Sequence, residues 1–239
     1  MQRYRAARRD RTLAVLEGFH ALKHALRFGA EVIEAVAADS EELERLAADL
    51  APDLAGSLAR RVTPVEAEVL DRMAPHAPRT GVIAIARRPA VDLDAVLADG
   101  RAAPVVLLED PRSMGNMGAC VRVAAAADAA AVLTTGSNDP WHPEALRGAA
   151  GLHFALPVAP LAELPASDRP LVAIDPEGEA TGLHELSPRA ILAFGTERYG
   201  LSAELLERAD QRLAIPMRAG VSSLNLATAV AAVLFARRL

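Results

Sequence analysis

Residues 105–122 read VVLLEDPRSMGNMGACVR, and this stretch decides the fold class. Its first residues form a short apolar run, which is typical of a buried strand. Gly115 and Gly118 follow, and such glycines permit tight turns and a close approach of the backbone. A helix of small and apolar residues then begins at Asn116, a residue type suited to a helix N-cap. The stretch therefore predicts a strand, a loop and a helix in succession.

The same alternation continues through the rest of the chain. It indicates an α/β fold with a parallel sheet covered by helices on both faces. The helix predicted over residues 226–238 is apolar almost all round, so we expect it to be buried in the core or against another subunit. Strands are predicted over residues 105–109, 130–135, 171–174, 190–194 and 212–215.

The first part of the chain alternates between helices and strands on a smaller scale. Helical spacing of leucines predicts the first helix, and a capping-box pattern predicts the start of the last one. We predict a helix over residues 13–28, a strand over 31–37, a helix from Ser40, a helix from Thr63 and a strand over 82–86.

Changes in composition suggest the domain boundaries. Residues 90–103 hold aspartates around a weak apolar pattern, and we interpret them as a linker. This gives a small α/β domain over residues 1–89 and a larger one over 104–239. Residues 1–11 crowd five arginines, a density that keeps a terminus solvated and disordered unless an anionic partner orders it.

Composition excludes several classes of protein. With 51% apolar residues the chain can bury a core, so disorder is excluded. A single cysteine, Cys120, excludes a disulfide framework and indicates a reducing compartment, by default the cytoplasm. The longest apolar run, residues 226–236, is shorter than the ~20 residues of a membrane span, so no membrane association is expected. The histidines have no cysteine partners and no H-E-x-x-H pattern, so no metal site is expected.

Loops that follow the predicted strands are the candidate sites, because ligands of open α/β sheets bind beyond the carboxyl ends of the strands. In the first loop region, Arg122 interrupts an otherwise small and apolar helix face. A half-buried guanidinium needs a partner, since leaving it unpaired costs several kcal/mol. The sequence leaves open whether this partner is a structural carboxylate or an anionic ligand.

Two further loops have similar features. Residues 194–202 place Glu197 between two glycines, although an ordinary loop in which Ser202 caps the next helix gives the same pattern. Residues 215–225 place Ser222, Ser223 and Asn225 at the start of the last helix, which is more than a cap requires.

Together these loops resemble the three motifs of the SpoU/TrmH family of RNA 2′-O-ribose methyltransferases, which belong to the SPOUT superfamily. Weaker likenesses at Glu17-Gly18, residues 80–84 and residues 139–158 extend the resemblance over most of the chain. The motif residues occur in the family's order: Asn116-x-Gly118-Ala119-x-x-Arg122, Phe194-Gly195-x-Glu197-x-x-Gly200-Leu201, and Ile215-Pro216-Met217 with Ser223-Leu224-Asn225.

The resemblance implies a methyltransferase domain whose parallel sheet ends in a trefoil knot, preceded by a small substrate-binding domain. It also implies S-adenosylmethionine as the cofactor, held in the knotted loops. By position, the expected cofactor contacts are Gly195, Ile215 and Leu224, with Thr196, Pro216 and Met217 beside them.

The resemblance assigns Arg122 to the reaction. A guanidinium stays protonated and is therefore a poor base, so we expect Arg122 to hold a phosphate and to stabilise the developing alkoxide. Asn116, Ser223 and Asn225 are expected to position Arg122 or the ribose, and Glu197 to orient them.

RNA is the expected partner, either rRNA or tRNA, and the resemblance implies a homodimer. The net charge of -5 and a pI of about 5.7 argue against a basic surface overall, so RNA must meet local basic residues. The candidates are the arginine-rich terminus and Arg79, Arg87, Arg88 and Arg147.

Two other functions remain open at this point. One is an RNA-binding or assembly factor that keeps the fold without catalysis. The other is a dinucleotide-dependent oxidoreductase, which only the glycines of the first loop support. Binding of S-adenosylmethionine distinguishes the enzyme from both.

Overall fold

The computed structural model describes residues 2–75, 78–180, 185–196 and 198–236. The strands are β1 Leu13–Glu17, β2 Val32–Ala37, β3 Val62–Pro64, β4 Val82–Arg87, β5 Val105–Leu108, β6 Ala131–Thr134, β7 Val158–Pro160, β8 Leu171–Glu179, β9 Ile191–Phe194 and β10 Gln211–Leu213. The helices are α1 Gln2–Ala7, α2 Phe19–Arg27, α3 Ser40–Leu50, α4 Ala55–Arg61, α5 Ala67–Asp71, α6 Leu93–Ala98, α7 Met114–Ala126, α8 Pro143–Gly148, α9 Ala203–Arg208 and α10 Leu226–Ala236.

Two compact units make up the chain. One comprises Met1–Ala90 and Trp141–Ala155, and the other comprises Val91–Pro140 and Leu156–Leu239. No helix in the described part of the chain is both long and apolar enough to cross a membrane.

The first unit is built on a four-stranded sheet with the order β1-β4-β2-β3. The long apolar strand β4 pairs antiparallel with both β1 and β2, whereas β2 and β3 are parallel. Residues Val82 to Ala86 of β4 are at most 1% exposed, as expected for a strand that is covered on both faces.

Two sequence-based expectations for this unit are wrong. Residues 13–28 do not form one helix, because Gly18 adopts a φ of 104° and separates strand β1 from helix α2. Residues 62–64 form strand β3 instead of starting a helix, and α5 begins only at Ala67. In both places the apolar spacing fits either structure, and pairing with neighbouring strands decides between them.

The sequence leaves open whether the arginine-rich terminus is ordered, and the structure describes it from residue 2 onward. It forms helix α1, whose Tyr4 and Ala7 are buried in the core of the first unit with Val15 and Ile83. Arg8 extends this anchoring, because its Nη2 atom donates a hydrogen bond of 2.7 Å to the buried Glu17. Intramolecular packing therefore orders this segment without an anionic partner.

Residues Trp141–Ala155 belong to the first unit, although they interrupt the sequence of the second. Gly151 adopts a φ of 77°, and a Cβ atom on it would lie 2.5 Å from the carbonyl oxygen of Ala21 in α2. His24 Nδ1 and the carbonyl oxygen of Ala150 are 2.7 Å apart. This close backbone contact attaches the segment to α2.

The second unit contains the predicted parallel α/β sheet, which is confirmed. Its six strands run parallel in the order β10-β8-β9-β5-β6-β7. All four residues of β5 are 0% exposed. The apolar run that begins the stretch 105–122 therefore lies in the interior of the sheet. The three-residue edge strand β7 is an element that the sequence did not predict.

The segment interpreted as a linker contains helix α6, capped by the Asp92 carboxylate, which accepts a 3.0 Å hydrogen bond from Ala95 N. Val96 and Leu97 of this helix are buried against β5. The guanidinium of Arg169 donates five hydrogen bonds of 2.8 to 3.2 Å at and near the end of this helix. Burial lowers the pKa of this guanidinium. The acceptors are the carbonyl oxygens of Val96, Leu97, Asp99, Ala103 and Arg189.

Candidate active site

A cavity of about 350 Å³ lies in the second unit. Its wall contains residues of β8, the end of β9 with the loop that follows, and the segment between β10 and α10. Pro216, although expected at the cofactor, does not line it. The sequence-predicted residues that do line it are Gly195, Thr196, Ile215, Met217, Ser223 and Leu224.

The loop after β9 is a tight hairpin. Thr196 and Gly200 exchange two backbone hydrogen bonds of 3.1 and 3.0 Å, and Thr196 Oγ1 accepts a further one of 3.0 Å from Tyr199 N. A Cβ atom on Gly195 would lie 2.0 Å from the carbonyl carbon of Gly200, so no other residue fits there. Glu197, the predicted orienting carboxylate, lies outside the described residues.

Asn225 connects the third loop to the first. Its Oδ1 atom caps α10 by accepting hydrogen bonds of 3.0 Å from Ala227 N and 3.3 Å from Thr228 N. Its Nδ2 atom donates a 3.1 Å hydrogen bond to Asn116 Oδ1. Two predicted site residues, 109 positions apart in the chain, are therefore in contact.

Asn116 is not the N-cap of α7, contrary to expectation. The helix begins at Met114, and Ser113 caps it by accepting a 3.2 Å hydrogen bond from Asn116 N. Asn116 consequently lies in the first turn, where its side chain contacts Asn225 instead of closing the helix end.

Arg122 is exposed, and the expectation of a half-buried guanidinium is wrong. The buried side of α7 is formed by its neighbours Cys120, Val121 and Ala124, so Arg122 extends from the outer side. Within the described residues it makes no hydrogen bond or ion pair and does not line the cavity of its own chain. A structural carboxylate partner is therefore not seen there.

Glu109 holds the N-terminus of α9. Its carboxylate accepts hydrogen bonds of 2.7 Å from Ser202 N and 2.6 Å from Ser202 Oγ. Ser202 also caps α9, as predicted, by accepting a 3.2 Å hydrogen bond from Leu205 N. The ends of β5 and of the hairpin after β9 are joined by this contact.

Asp175 is a cavity residue that the sequence analysis missed. It is 8% exposed, lies in β8 and forms an ion pair of 2.7 Å with Arg212. The sequence did contain a signal, because an Asp-Pro pair directly follows the predicted strand 171–174. A position directly after a predicted strand was the criterion that selected the other three loops. Among the described residues, no group of three or more His, Cys, Asp or Glu is placed to hold a metal ion.

The family model described as the SpoU rRNA methylase family matches residues 103–235, which contain every segment of the cavity wall. The chain belongs to the SpoU rRNA methylase family. The resemblance found from the three motifs is thereby confirmed.

Several SpoU relatives match nearly the whole chain. The 23S rRNA (guanosine-2′-O-)-methyltransferase RlmB of Bordetella pertussis is 35% identical over 239 residues, which cover 92% of this chain and 95% of that protein. The AdoMet-bound rRNA methyltransferase from Sinorhizobium meliloti is 26% identical, with a TM-score of 0.77 over 99% of this chain and 93% of the other. The SpoU methyltransferase AviRb from Streptomyces viridochromogenes, at 24% identity and a TM-score of 0.78 over 99% and 95% of the two chains, supports the fold.

The four arginines expected to bind RNA in this SpoU family member all lie in the first unit. Three of them form an ion pair or a hydrogen bond within this unit. Arg79 is exposed, whereas Arg87 pairs with Glu31 at 2.9 Å. Arg88 donates a 2.6 Å hydrogen bond to Leu13 O, and its guanidinium carbon lies 5.9 Å from the centre of the Trp141 ring. Arg147 pairs with the buried Glu17 at 3.0 Å while about half of its side chain stays exposed.

Proposed function

We propose that this chain transfers a methyl group from S-adenosylmethionine to a ribose 2′-hydroxyl of rRNA or tRNA. The observation that carries the proposal is that two loops distant in sequence, one with Gly195 and the other with Ile215 and Leu224, line a single cavity in the part of the chain matched by the SpoU family. The relatives point the same way, since one is named a 23S rRNA guanosine-2′-O-methyltransferase and another is AdoMet-bound.

The cavity fits this cofactor. Its volume of about 350 Å³ lies within the range of small-molecule pockets. Ile174, Phe194 and Leu226 supply apolar wall for the adenosine, and the buried Asp175 supplies negative charge for a cationic ligand. Gly195, Thr196, Ile215, Met217 and Leu224 would hold the cofactor, and Pro216 would keep the backbone between two of them in a fixed shape.

The chemistry divides between the cofactor and the chain. Bound S-adenosylmethionine supplies a methyl group on a positively charged sulfur, so that transfer forms an O–CH3 bond and breaks an S–CH3 bond. The chain must aim the ribose oxygen and stabilise the negative charge that develops as its proton leaves to solvent. We assign stabilisation of this negative charge to Arg122. Asn116, Ser223 and Asn225 would position Arg122 or the ribose, and Glu197 would orient these positioning groups.

We also propose that two copies form a homodimer in which Arg122 completes the site of the partner subunit. Helix α7 packs on α10, and Arg122 is exposed on α7 and does not line the cavity of its own chain. Phe235 on α10 is 43% exposed, an apolar surface suited to a subunit interface. The trefoil knot of the cofactor loops is part of the same proposal.

The first unit is the proposed RNA-binding domain, in the cytoplasm where rRNA and tRNA are modified. Arg79 and the exposed part of Arg147 are available to phosphates directly. Arg87 and Arg88 are held by Glu31 and by Leu13 O, which fixes the direction of their guanidinium groups. RNA-contacting arginines of this kind act mainly through charge.

The test uses Arg122→Ala, with Arg101→Ala as a control, since Arg101 is an exposed arginine already paired with Asp99. Arg122→Ala is expected to bind S-adenosylmethionine with unchanged affinity and to lose methyl transfer to RNA, while the control keeps both. Near-normal turnover of Arg122→Ala contradicts the assignment.

A mixing experiment tests the homodimer. The S-adenosylmethionine concentration is chosen so low that neither Arg122→Ala nor Gly195→Ala protein is measurably active alone. An equal mixture of exchanging subunits should then regain about a quarter of wild-type activity, because half the dimers are mixed and each has one intact site. Absence of any recovery contradicts an Arg122 that acts across the interface.

A further inference from the structure

The two carboxylate oxygens of Asp175 have different surroundings. Oδ1 accepts three hydrogen bonds, from Glu177 N at 2.8 Å and from Arg212 Nε at 3.1 Å and Nη2 at 2.7 Å. Oδ2 accepts no hydrogen bond from any described residue. It faces the hairpin after β9, because a Cβ atom on Gly200 would lie 4.0 Å from it.

This oxygen belongs to a side chain that is only 10% exposed and that lines the cavity. Because Oδ2 remains accessible from the cavity, it can accept a hydrogen bond there. A ligand that brings positive charge or a hydrogen-bond donor into the cavity gains a favourable interaction with this oxygen. Asp175 is the one carboxylate among the described lining residues, and the remaining wall is apolar or neutral except for Arg198.

We propose that Asp175 is the counter-charge for the positively charged cofactor, and that it makes the cavity favour S-adenosylmethionine over its demethylated product. This inference rests on the proposed methyl transfer. When the S–CH3 bond breaks, its electron pair stays on sulfur, so S-adenosylhomocysteine lacks the positive charge at that atom. Asp175 thereby loses its favourable interaction as the product forms, which promotes product release.

Arg212 positions this carboxylate and also limits its effect. Its guanidinium holds Oδ1 from the side opposite the free oxygen and shares its charge with Glu177, at 3.0 Å. Oδ2 is thus kept directed at the cavity, while the nearby cation offsets part of the negative charge. A moderate preference for cationic ligands follows.

The test measures affinity for three ligands by calorimetry: S-adenosylmethionine, sinefungin, which carries an ammonium group in place of the sulfonium, and S-adenosylhomocysteine. We expect wild-type protein to bind both cationic ligands more tightly than the neutral one. Asp175→Asn should reduce this preference about tenfold. Glu177→Gln is the matched control, because Glu177 also pairs with Arg212 but is absent from the cavity wall, and it should leave the preference unchanged.

Two results overturn the inference. The first is an equal loss of affinity for all three ligands in Asp175→Asn, because it would assign Asp175 to a part of the cofactor that all three share. The second is an Asp175→Asn protein with wild-type affinities and an unchanged preference. Asp175→Ser serves as a second neutral variant, with circular dichroism to verify folding. If neither variant folds, a wild-type protein that binds sinefungin no better than S-adenosylhomocysteine overturns the inference.

The proposed function and this inference fail differently. A wild-type protein that binds none of the three ligands contradicts both. A wild-type protein that methylates RNA, while Asp175→Asn keeps the full preference for cationic ligands, contradicts only the role of Asp175.

Discussion

At the scale of single residues, Gly195 shows how closely two backbone segments approach in the candidate site. The hairpin from Thr196 to Gly200 folds back on it, and a Cβ atom would lie 2.0 to 2.3 Å from three backbone atoms of Gly200 and Leu201. Backbone atoms cannot rotate away as a flexible side chain can. The glycine is therefore required by the shape of the loop.

We predict that Gly195→Ala weakens S-adenosylmethionine binding at least tenfold, because relieving the clash must displace the hairpin that lines the cavity. Calorimetric titration measures the change. Gly115→Ala is the matched control: a Cβ atom at that helical glycine has no neighbour closer than 3.9 Å, so its affinity should match wild type. Wild-type affinity in Gly195→Ala would show that the hairpin does not contribute to the cofactor site.

At the residue scale, the sequence was informative about loops and uninformative about the direction of a side chain. The strand-loop pattern selected the loops that contain Gly195 and Ile215, and the family resemblance singled out these two residues, which line the cavity. The exposure of Arg122 depends on which side of α7 packs inward, and an almost uniformly apolar helix carries no such signal. Asp175 was missed because the segment after residues 171–174 was not chosen as a candidate loop, although an Asp-Pro pair follows this apolar run.

At the scale of elements, α6 shows a short helix held by one distant side chain. Arg169 is 3% exposed, and its guanidinium donates to five carbonyl oxygens around the end of this helix. Three of these acceptors, the carbonyl groups of Val96, Leu97 and Asp99, have no partner within the helix, because the last carbonyl groups of any helix are unpaired. The weak apolar pattern of residues 90–103 gave no sign of this, since the stabilising residue lies about seventy positions away.

We predict that Arg169→Met lowers the free energy of unfolding by about 3 kcal/mol, because buried carbonyl groups lose a charged donor. Urea denaturation followed by circular dichroism measures the difference. Arg101→Met removes an exposed arginine from the same region and should change stability by less than about 1 kcal/mol. Equal stability of the two variants would contradict the role given to Arg169.

The strands were predicted best where burial is greatest. β5, β6 and β9 are buried along their whole length, and a buried strand must be apolar throughout, which makes it visible in the sequence. β3 and β7 have three residues each and contain prolines, so their sequences resemble loops. Pairing with a longer neighbour makes them strands, and such pairing cannot be seen locally.

At the scale of the whole molecule, the problem is how a chain of net charge -5 binds a polyanion. Many exposed arginines of the first unit are already paired, such as Arg27 with Asp53 and Arg45 with Glu42. Local arginines without partners must then supply the attraction. Near the N-terminus, three exposed arginines make no ion pair with any described residue: Arg5, Arg9 and Arg11.

We predict that changing Arg5, Arg9 and Arg11 together to Gln weakens RNA binding and lowers the slope of log affinity against log salt by about 2, since each phosphate contact contributes ~0.7 to 0.9. Substitution is preferable to removing residues 1–11, because Tyr4 and Ala7 belong to the core of the first unit. The control changes Arg27 and Arg45 to Gln, and its slope should stay at the wild-type value. An unchanged slope in the triple variant would assign these arginines to solubility alone.

The family was identified from the sequence because three motifs, each unspecific alone, occur in one order. The proposed knot and homodimer came only with that resemblance. Knots are nearly absent from proteins, and no local pattern of residues predicts one. Composition and periodicity alone would have ended at a parallel α/β sheet.

Methyl transfer itself tests the central claim most directly. Wild-type protein is incubated with S-adenosylmethionine labelled in its methyl group and with rRNA or tRNA that lacks ribose methylation, and the RNA is then hydrolysed in alkali. A 2′-O-methyl group blocks cleavage of the neighbouring phosphodiester, so we predict label in alkali-resistant dinucleotides. Label that appears only in mononucleotides, or no label in either RNA, would contradict the account.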